Sequence, residues 1–118
     1  MEKRKLLFDC DNTMGIPDCD IDDGLCLLYL LGRKDIELLG LSSSFGNNKT
    51  AVVYENTKKM LKERGREEIP LWYGADAPRQ WENEASKKIL ETVKLYPGEV
   101  DILVTGSTTN IAGAYMLD

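Results

Sequence analysis

Four aspartates flank one loop near the start of the chain, and their spacing suggests metal chemistry. Asp9 and Asp11 close an apolar run, whereas Asp22 and Asp23 directly precede an apolar segment of helical length. Carboxylates that are held close together repel one another, so either some of them stay protonated or a cation neutralises them. The four residues therefore predict a metal site. Capping of the next helix is an alternative use of Asp22 and Asp23, because a first helical turn favours negative charge.

The elements that must position these acids can be predicted from apolar runs and turn residues. Strands are predicted at 6–8, 36–43, 69–73 and 100–105, and helices at 22–31, 50–64, 85–95 and 111–117. Gly32 and Gly65 are the predicted ends of the first two helices. The alternation indicates an α/β fold with an open, Rossmann-like parallel sheet. Ligands of such sheets bind outside the carboxyl ends of the strands, where Asp9 and Asp11 are expected.

Length and composition limit the class of protein. The 118 residues are expected to form a single α/β domain, and the net charge of -5 argues against a nucleic-acid surface. Three cysteines, Cys10, Cys19 and Cys26, occur without any histidine, so a disulfide framework or a zinc site is not expected. The apolar run behind the basic start is too short for a signal peptide or a membrane span, which makes the cytoplasm the expected location.

The last predicted helix suggests that the sequence continues. It stops at the end of the chain without a C-cap, and four strands are few for a doubly wound sheet. We therefore expect the chain to be the N-terminal part of a longer protein.

At the level of motifs, the chain resembles the N-terminal portion of the inosine/uridine-preferring nucleoside hydrolases, which cleave the N-glycosidic bond of ribonucleosides. The resemblance is carried in order by the aspartates of 9–11 and 22–25, by LGLSSSFGN at 39–47, by IPLWYGADAP at 69–78 and by TGSTTNIA at 105–112. Together these motifs span nearly the whole chain.

The resemblance implies a calcium ion bound by Asp11, Asp23 and the main-chain carbonyl of Thr105. Calcium takes many hard oxygen ligands, so paired carboxylates and a carbonyl suit it without histidine. In this family the metal also holds the attacking water and the ribose hydroxyls, and the aspartate that corresponds to Asp11 is the general base.

The same resemblance implies how the substrate is held. Asp22 and the Asn47 side chain would hydrogen-bond the ribose hydroxyls, whereas Asp9 would orient the loop. The resemblance also implies that the substrate is a small-molecule nucleoside, that the enzyme takes part in purine or pyrimidine salvage, and that the protein is a homo-oligomer, either dimer or tetramer. Neither nucleic acid nor membrane is an expected partner.

The sequence departs from the family pattern in the loop between Asp11 and Asp22. The loop is longer than usual and contains a second Asp-x-Asp, Asp18 and Asp20. Asp20 could therefore replace Asp11 as the ligand, although Asp11 is preferred because it follows a strand directly. The family's base-pocket residues, catalytic histidine and last aspartate ligand have no counterpart before residue 118.

Two other hypotheses remain open at this point. Residues 6–13 also resemble the first motif of haloacid-dehalogenase-type phosphatases, in which Asp9 would be the nucleophile and Asp11 the acid/base, with magnesium in place of calcium. This hypothesis leaves Asp22 and Asp23, the segment 45–47 and the segment 74–78 unexplained. A catalytically incomplete domain is the third possibility.

Some conspicuous residues have a structural interpretation. Asn110 can cap the last helix, and Asn47 can form a turn after Gly46. Trp72 and Tyr73 are better explained as strand core than as a platform for a nucleobase.

Overall fold

The computed structural model describes residues 3–12, 14, 22–45, 49–77, 80–105, 107 and 109–117. Strands and helices alternate along the chain, as the sequence predicts. In order they are β1 (Arg4–Cys10), α1 (Asp22–Gly32), β2 (Ile36–Ser43), α2 (Thr50–Glu63), β3 (Leu71–Trp72), α3 (Glu84–Leu95), β4 (Val100–Val104) and α4 (Thr109–Leu117).

The four strands form one parallel sheet in the order β3-β2-β1-β4. Apolar residues of α1 and α2 pack on one face with Leu6 and Phe8, and apolar residues of α3 and α4 pack on the other face with Leu7. Helices on both faces of a parallel sheet are the predicted α/β, Rossmann-like architecture, which is thus confirmed.

Alternation along β1 decides which way its acidic end faces. Leu6, Phe8 and Cys10 belong to the core under α1 and α2, whereas Leu7 belongs to the core under α3 and α4. Successive side chains of a strand point to opposite faces, so Asp9 shares the face of Leu7. The strand therefore directs Asp9 towards α4.

The third strand is shorter than predicted. Only Leu71 and Trp72 pair with β2, although residues 69–73 were expected to be extended. Pro70 has no N–H to donate, and its carbonyl accepts a hydrogen bond from Leu41 N at 2.8 Å. The Tyr73 carbonyl accepts instead from Ala85 N of α3 at 3.1 Å, which takes the chain out of the sheet.

The two predicted helix ends differ in conformation. Gly65 has φ +66°, and the neighbouring N–H of Arg66 donates to the Leu61 carbonyl, so Gly65 ends α2 as expected. Gly32 is the last residue of α1, so the helix ends where predicted, but without the positive φ that Gly65 has.

Trp72 belongs to the core, in agreement with its structural interpretation. It packs against the cluster around Leu7 and Ile89. A Cβ on Gly40 of the neighbouring strand would lie 2.3 Å from the Trp72 ring, so only glycine leaves room for this indole. Within the described ranges, no helix combines the length and the apolar character that crossing a membrane requires.

Candidate functional site

The carboxyl ends of three strands meet at one edge of the sheet. Ser44 N, just after β2, donates to the Cys10 carbonyl at 2.9 Å, and Thr105 N, just after β4, donates to the Asp9 carbonyl at 3.0 Å. Because β1 lies between β2 and β4, the chain that leaves it starts in the middle of this edge. This is the position at which open α/β sheets bind ligands.

Asp11, Asp23 and Thr105 are in direct contact at this edge. Oδ2 of Asp23 accepts a hydrogen bond from Asp11 N at 2.8 Å and another from Thr105 Oγ1 at 2.7 Å. Neither bond uses Oδ1 of Asp23. Asp11 is 8% exposed, and Asp23 is half-buried on the first turn of α1. The structure thus brings together the three residues that the family resemblance implies as ligands of a cation.

The donor set at this point fits a hard cation in part. Asp11 and Asp23 offer carboxylate oxygens, and Thr105 adds a carbonyl, which are the ligand types of calcium or magnesium. No group of three or more His, Cys, Asp or Glu side chains suited to a metal occurs in the part of the chain that the structure describes. Calcium takes six to eight oxygens, so about half of its ligands would come from water, substrate or other segments.

Asp9 is a buried support beneath these residues. It is 1% exposed, and its Oδ1 accepts hydrogen bonds from Ser42 Oγ and, at 2.9 Å, from Asn110 Nδ2. Burial raises the pKa of Asp9 to about 6; the two hydrogen bonds oppose the rise and the charge of Asp23 adds to it. Oδ2 has no hydrogen-bond partner among the residues described. A nucleophile must reach its substrate, so this burial does not suit the phosphatase hypothesis.

Asn110 has a larger role than the sequence suggested. Its side chain is fully buried, and Nδ2 donates to Asp9 Oδ1 and to the Ser43 carbonyl, each at 2.9 Å. Its Oδ1 accepts from Ala75 N at 2.8 Å. The interpretation of Asn110 as a helix cap only is therefore wrong, because its side chain joins α4 to the ends of three strands. An asparagine directly after the β4 loop, at the same edge as Asp9, was the signal that could have revealed it.

The beginning of the long loop is fixed to α2. Asn56 Nδ2 donates to the carbonyls of Asn12 and Met14, at 3.2 and 3.0 Å. Met14 N donates to Asn12 Oδ1 at 3.1 Å, which closes a local turn. A Cβ on Gly24 of α1 would lie 2.3 Å from Met14 Cβ, so the loop packs closely on both helices.

Several predicted site residues lie outside the described residues. They are Asn47, proposed for the ribose hydroxyls, and the alternative acids Asp18 and Asp20. Asp22 begins α1, and its side chain also lies outside them. Their predicted roles stay predictions.

Comparisons with known proteins agree with the motifs. The family model described as inosine-uridine preferring nucleoside hydrolase matches residues 6–118. The chain is 23% identical to a probable uridine nucleosidase 2 of Arabidopsis thaliana, covering 99% of this chain and 43% of that protein. It is 27% identical to uridine nucleosidase 1 of the same plant, covering 97% of this chain and 40% of the relative.

Solved structures of nucleoside hydrolases share this fold. A plant nucleoside hydrolase superposes with a TM-score of 0.84 at 22% identity, over 98% of this chain and 43% of that one. At this identity the likeness shows the fold. The chain thus spans less than half of the length of the proteins that it matches.

Proposed function

The chain belongs to the inosine-uridine preferring nucleoside hydrolase family, and we propose on that premise that it contributes the metal-binding edge of an enzyme that hydrolyses ribonucleosides. The observation that carries the proposal is the contact of Asp23 with Asp11 N and Thr105 Oγ1 at the carboxyl end of the sheet. Relatives named as uridine nucleosidases support a ribonucleoside as the substrate class.

The proposed cofactor is calcium, held by the carboxylates of Asp11 and Asp23 and by the main-chain carbonyl of Thr105. All of these donors are oxygens, and the chain has no histidine, which favours a hard cation over zinc. Bound calcium would polarise water and sugar hydroxyl groups and so favour the loss of their protons. Asp22 and Asn47 are the proposed hydrogen-bond partners of the ribose hydroxyls.

In the proposed reaction Asp11 acts as the general base. Its carboxylate takes a proton from the attacking water, the water oxygen bonds to C1′ of the ribose, and the C1′–N bond breaks. The nucleobase leaves with the electrons of the C1′–N bond, so positive charge develops on the ribosyl group. The negative charge of Asp23, and that of Asp11 until it takes the proton, would stabilise this charge more in the transition state than in the substrate. Asp9 supports the edge from below without contacting the substrate.

Ribose release by the naturally expressed protein tests the proposal. Inosine and uridine are each incubated with calcium or with a chelator, and we expect ribose only when calcium is present. Asp11→Asn and Asp23→Asn should each lower the rate by about 100-fold or more, because a general base or its metal site is removed. Asp101→Asn is the matched control, since Asp101 is an exposed acid of β4 that pairs with Arg4 at 3.3 Å.

Two outcomes would contradict this function. If no ribose is released from inosine or from uridine in the presence of calcium, the proposed reaction is refuted. Release of phosphate from a phosphomonoester with magnesium would replace it by the phosphatase hypothesis. Location in the cytoplasm and assembly as a dimer or tetramer stay predictions, the latter measurable by analytical ultracentrifugation.

A further inference from the structure

We propose that Asn110 is a positioning residue that fixes the end of β1, and with it the proposed metal ligands. The inference rests on the proposed function in that Asp11, Asp23 and Thr105 hold the cation. We call Asn110 and its three partners, Asp9, Ser43 and Ala75, the Asn110 clamp.

The Asn110 clamp connects four segments that are distant in the sequence. The Asn110 Nδ2 donates to Asp9 Oδ1 near the end of β1 and to the Ser43 carbonyl at the end of β2. The Asn110 Oδ1 accepts from Ala75 N, just after β3. Asn110 itself lies on α4 and is fully buried. An amide that both donates and accepts suits this position, because its partners comprise two acceptors and one donor.

Asp9 connects the clamp to the proposed metal ligands by two routes. Along the chain, it precedes Asp11 by two residues. Across the sheet, its carbonyl accepts from Thr105 N at 3.0 Å, and Thr105 Oγ1 in turn donates to Asp23. A shift of Asp9 would therefore change the positions of all three proposed ligands. Residues that orient metal ligands in this way typically change metal affinity when they are replaced.

Close packing leaves the clamp little freedom. A Cβ on Gly74 would lie 2.2 Å from Asn110 Nδ2 and 2.0 Å from the Ser43 carbonyl oxygen. The amide is thus held against main chain on the side of β2 and β3. It cannot rotate without losing hydrogen bonds from which water is excluded, and unpaired buried groups of this kind are costly.

Asn110→Asp tests the clamp with almost no change of volume. The substitution replaces the donor that faces Asp9 Oδ1 and the Ser43 carbonyl by an oxygen, so two attractive contacts become repulsive. In the naturally expressed protein, we expect calcium affinity measured by calorimetry to fall by about tenfold or more. Asn83→Asp is the matched control. Asn83 caps α3 by accepting from Ser86 N at 2.9 Å, a role that aspartate fills equally well. Its Nδ2 also donates to the Gln80 carbonyl at 2.9 Å, but this bond is exposed, so water can replace the lost donor.

An exchange of the two side chains shows whether the effect passes through Asp9. The double substitution Asp9→Asn with Asn110→Asp reverses the direction of the hydrogen bond between these two side chains and restores it, whereas the new carboxylate at position 110 still faces the Ser43 carbonyl. We expect the exchanged protein to recover part of the lost calcium affinity, which a general loss of packing would not allow. Failure to recover, with Asn110→Asp impaired, would overturn the route through Asp9. Wild-type affinity in Asn110→Asp would overturn the whole inference.

Two further measurements keep the test decisive. If Asn110→Asp does not fold, Asn110→Ala removes the same side-chain hydrogen bonds without adding a charge, and unchanged calcium affinity in that variant would contradict the inference. Hydrogen exchange at Thr105 N–H needs no metal. It should be faster in Asn110→Asp than in Asn83→Asp, and equal rates would contradict the clamp. Absence of calcium binding by the wild-type protein would instead refute the proposed metal site, with the exchange rates still judging the clamp.

Discussion

Replacing Gly74 by alanine probes the packing beneath the proposed site. Gly74 lies in the motif that follows β3, and its N–H donates to Ser43 Oγ at 3.3 Å. An added Cβ would lie 2.0 Å from the Ser43 carbonyl oxygen and 2.2 Å from Asn110 Nδ2. The Ser43 oxygen would have to move by about 1 Å to reach the 3.0 Å below which real Cβ contacts essentially never occur. Because this oxygen belongs to the main chain of β2, the adjustment is expensive.

The expected loss of stability follows from these contacts. Overpacking of a close-packed site costs about 1–3 kcal/mol, and a weakened buried hydrogen bond adds about 1 kcal/mol. The lower entropy of the unfolded alanine chain returns about 0.4–1 kcal/mol. We therefore expect Gly74→Ala to lower the free energy of unfolding by about 1–3.5 kcal/mol.

Urea unfolding of the naturally expressed protein measures this loss, with a chelator present so that metal binding does not contribute. Gly32→Ala is the control, because a Cβ there would meet nothing within 4 Å at the end of α1. It should leave stability unchanged or raise it by up to about 1 kcal/mol. If Gly74→Ala unfolds within about 0.5 kcal/mol of the wild-type protein, the close approach of β2, β3 and α4 is refuted.

Two further predictions concern the loop after β1 and the start of α3. Asn56→Ala removes the donor that holds two carbonyls of the loop. Calcium affinity measured by calorimetry should therefore fall by up to about tenfold, the loss typical when a residue that orients metal ligands is replaced. Lys59→Ala, an exposed change one turn further along α2, should leave it unchanged, and equal effects of the two would contradict a specific role of Asn56. Asn83→Ala removes the cap of α3 and should lower the free energy of unfolding by about 1 kcal/mol in urea, whereas calcium affinity should not change. A loss of affinity in that variant would show that α3 takes part in the site.

The position of the acids could be predicted because it depends on local signals. An apolar run followed by Asp9 and Asp11 marks the end of a strand, and Asp22 and Asp23 mark the start of a helix. In a parallel sheet these junctions fall at the same edge, as the structure shows. Asp23 could equally have capped its own helix. In the structure its carboxylate instead makes a tertiary contact, accepting a hydrogen bond from Asp11 N.

The role of Asn110 could not be predicted in the same way. Its partner Asp9 is 101 residues away in the sequence, and only the completed fold brings α4 against the end of β1. The local signal, an asparagine at the start of a helix, favours capping. The third strand was predicted, but its restriction to two residues was not, for a related reason. Its apolar residues suit a strand, whereas Pro70 and the bond from Ala85 N to the Tyr73 carbonyl limit its pairing.

A crystal structure of the naturally expressed protein grown with calcium tests the central claim most directly. The account predicts one calcium ion at the carboxyl edge of the sheet, within about 2.3–2.6 Å of carboxylate oxygens of both Asp11 and Asp23 and of the Thr105 carbonyl oxygen. An ion held instead by Asp18 or Asp20, away from Asp11, would contradict it, as would the lack of any ion at this edge.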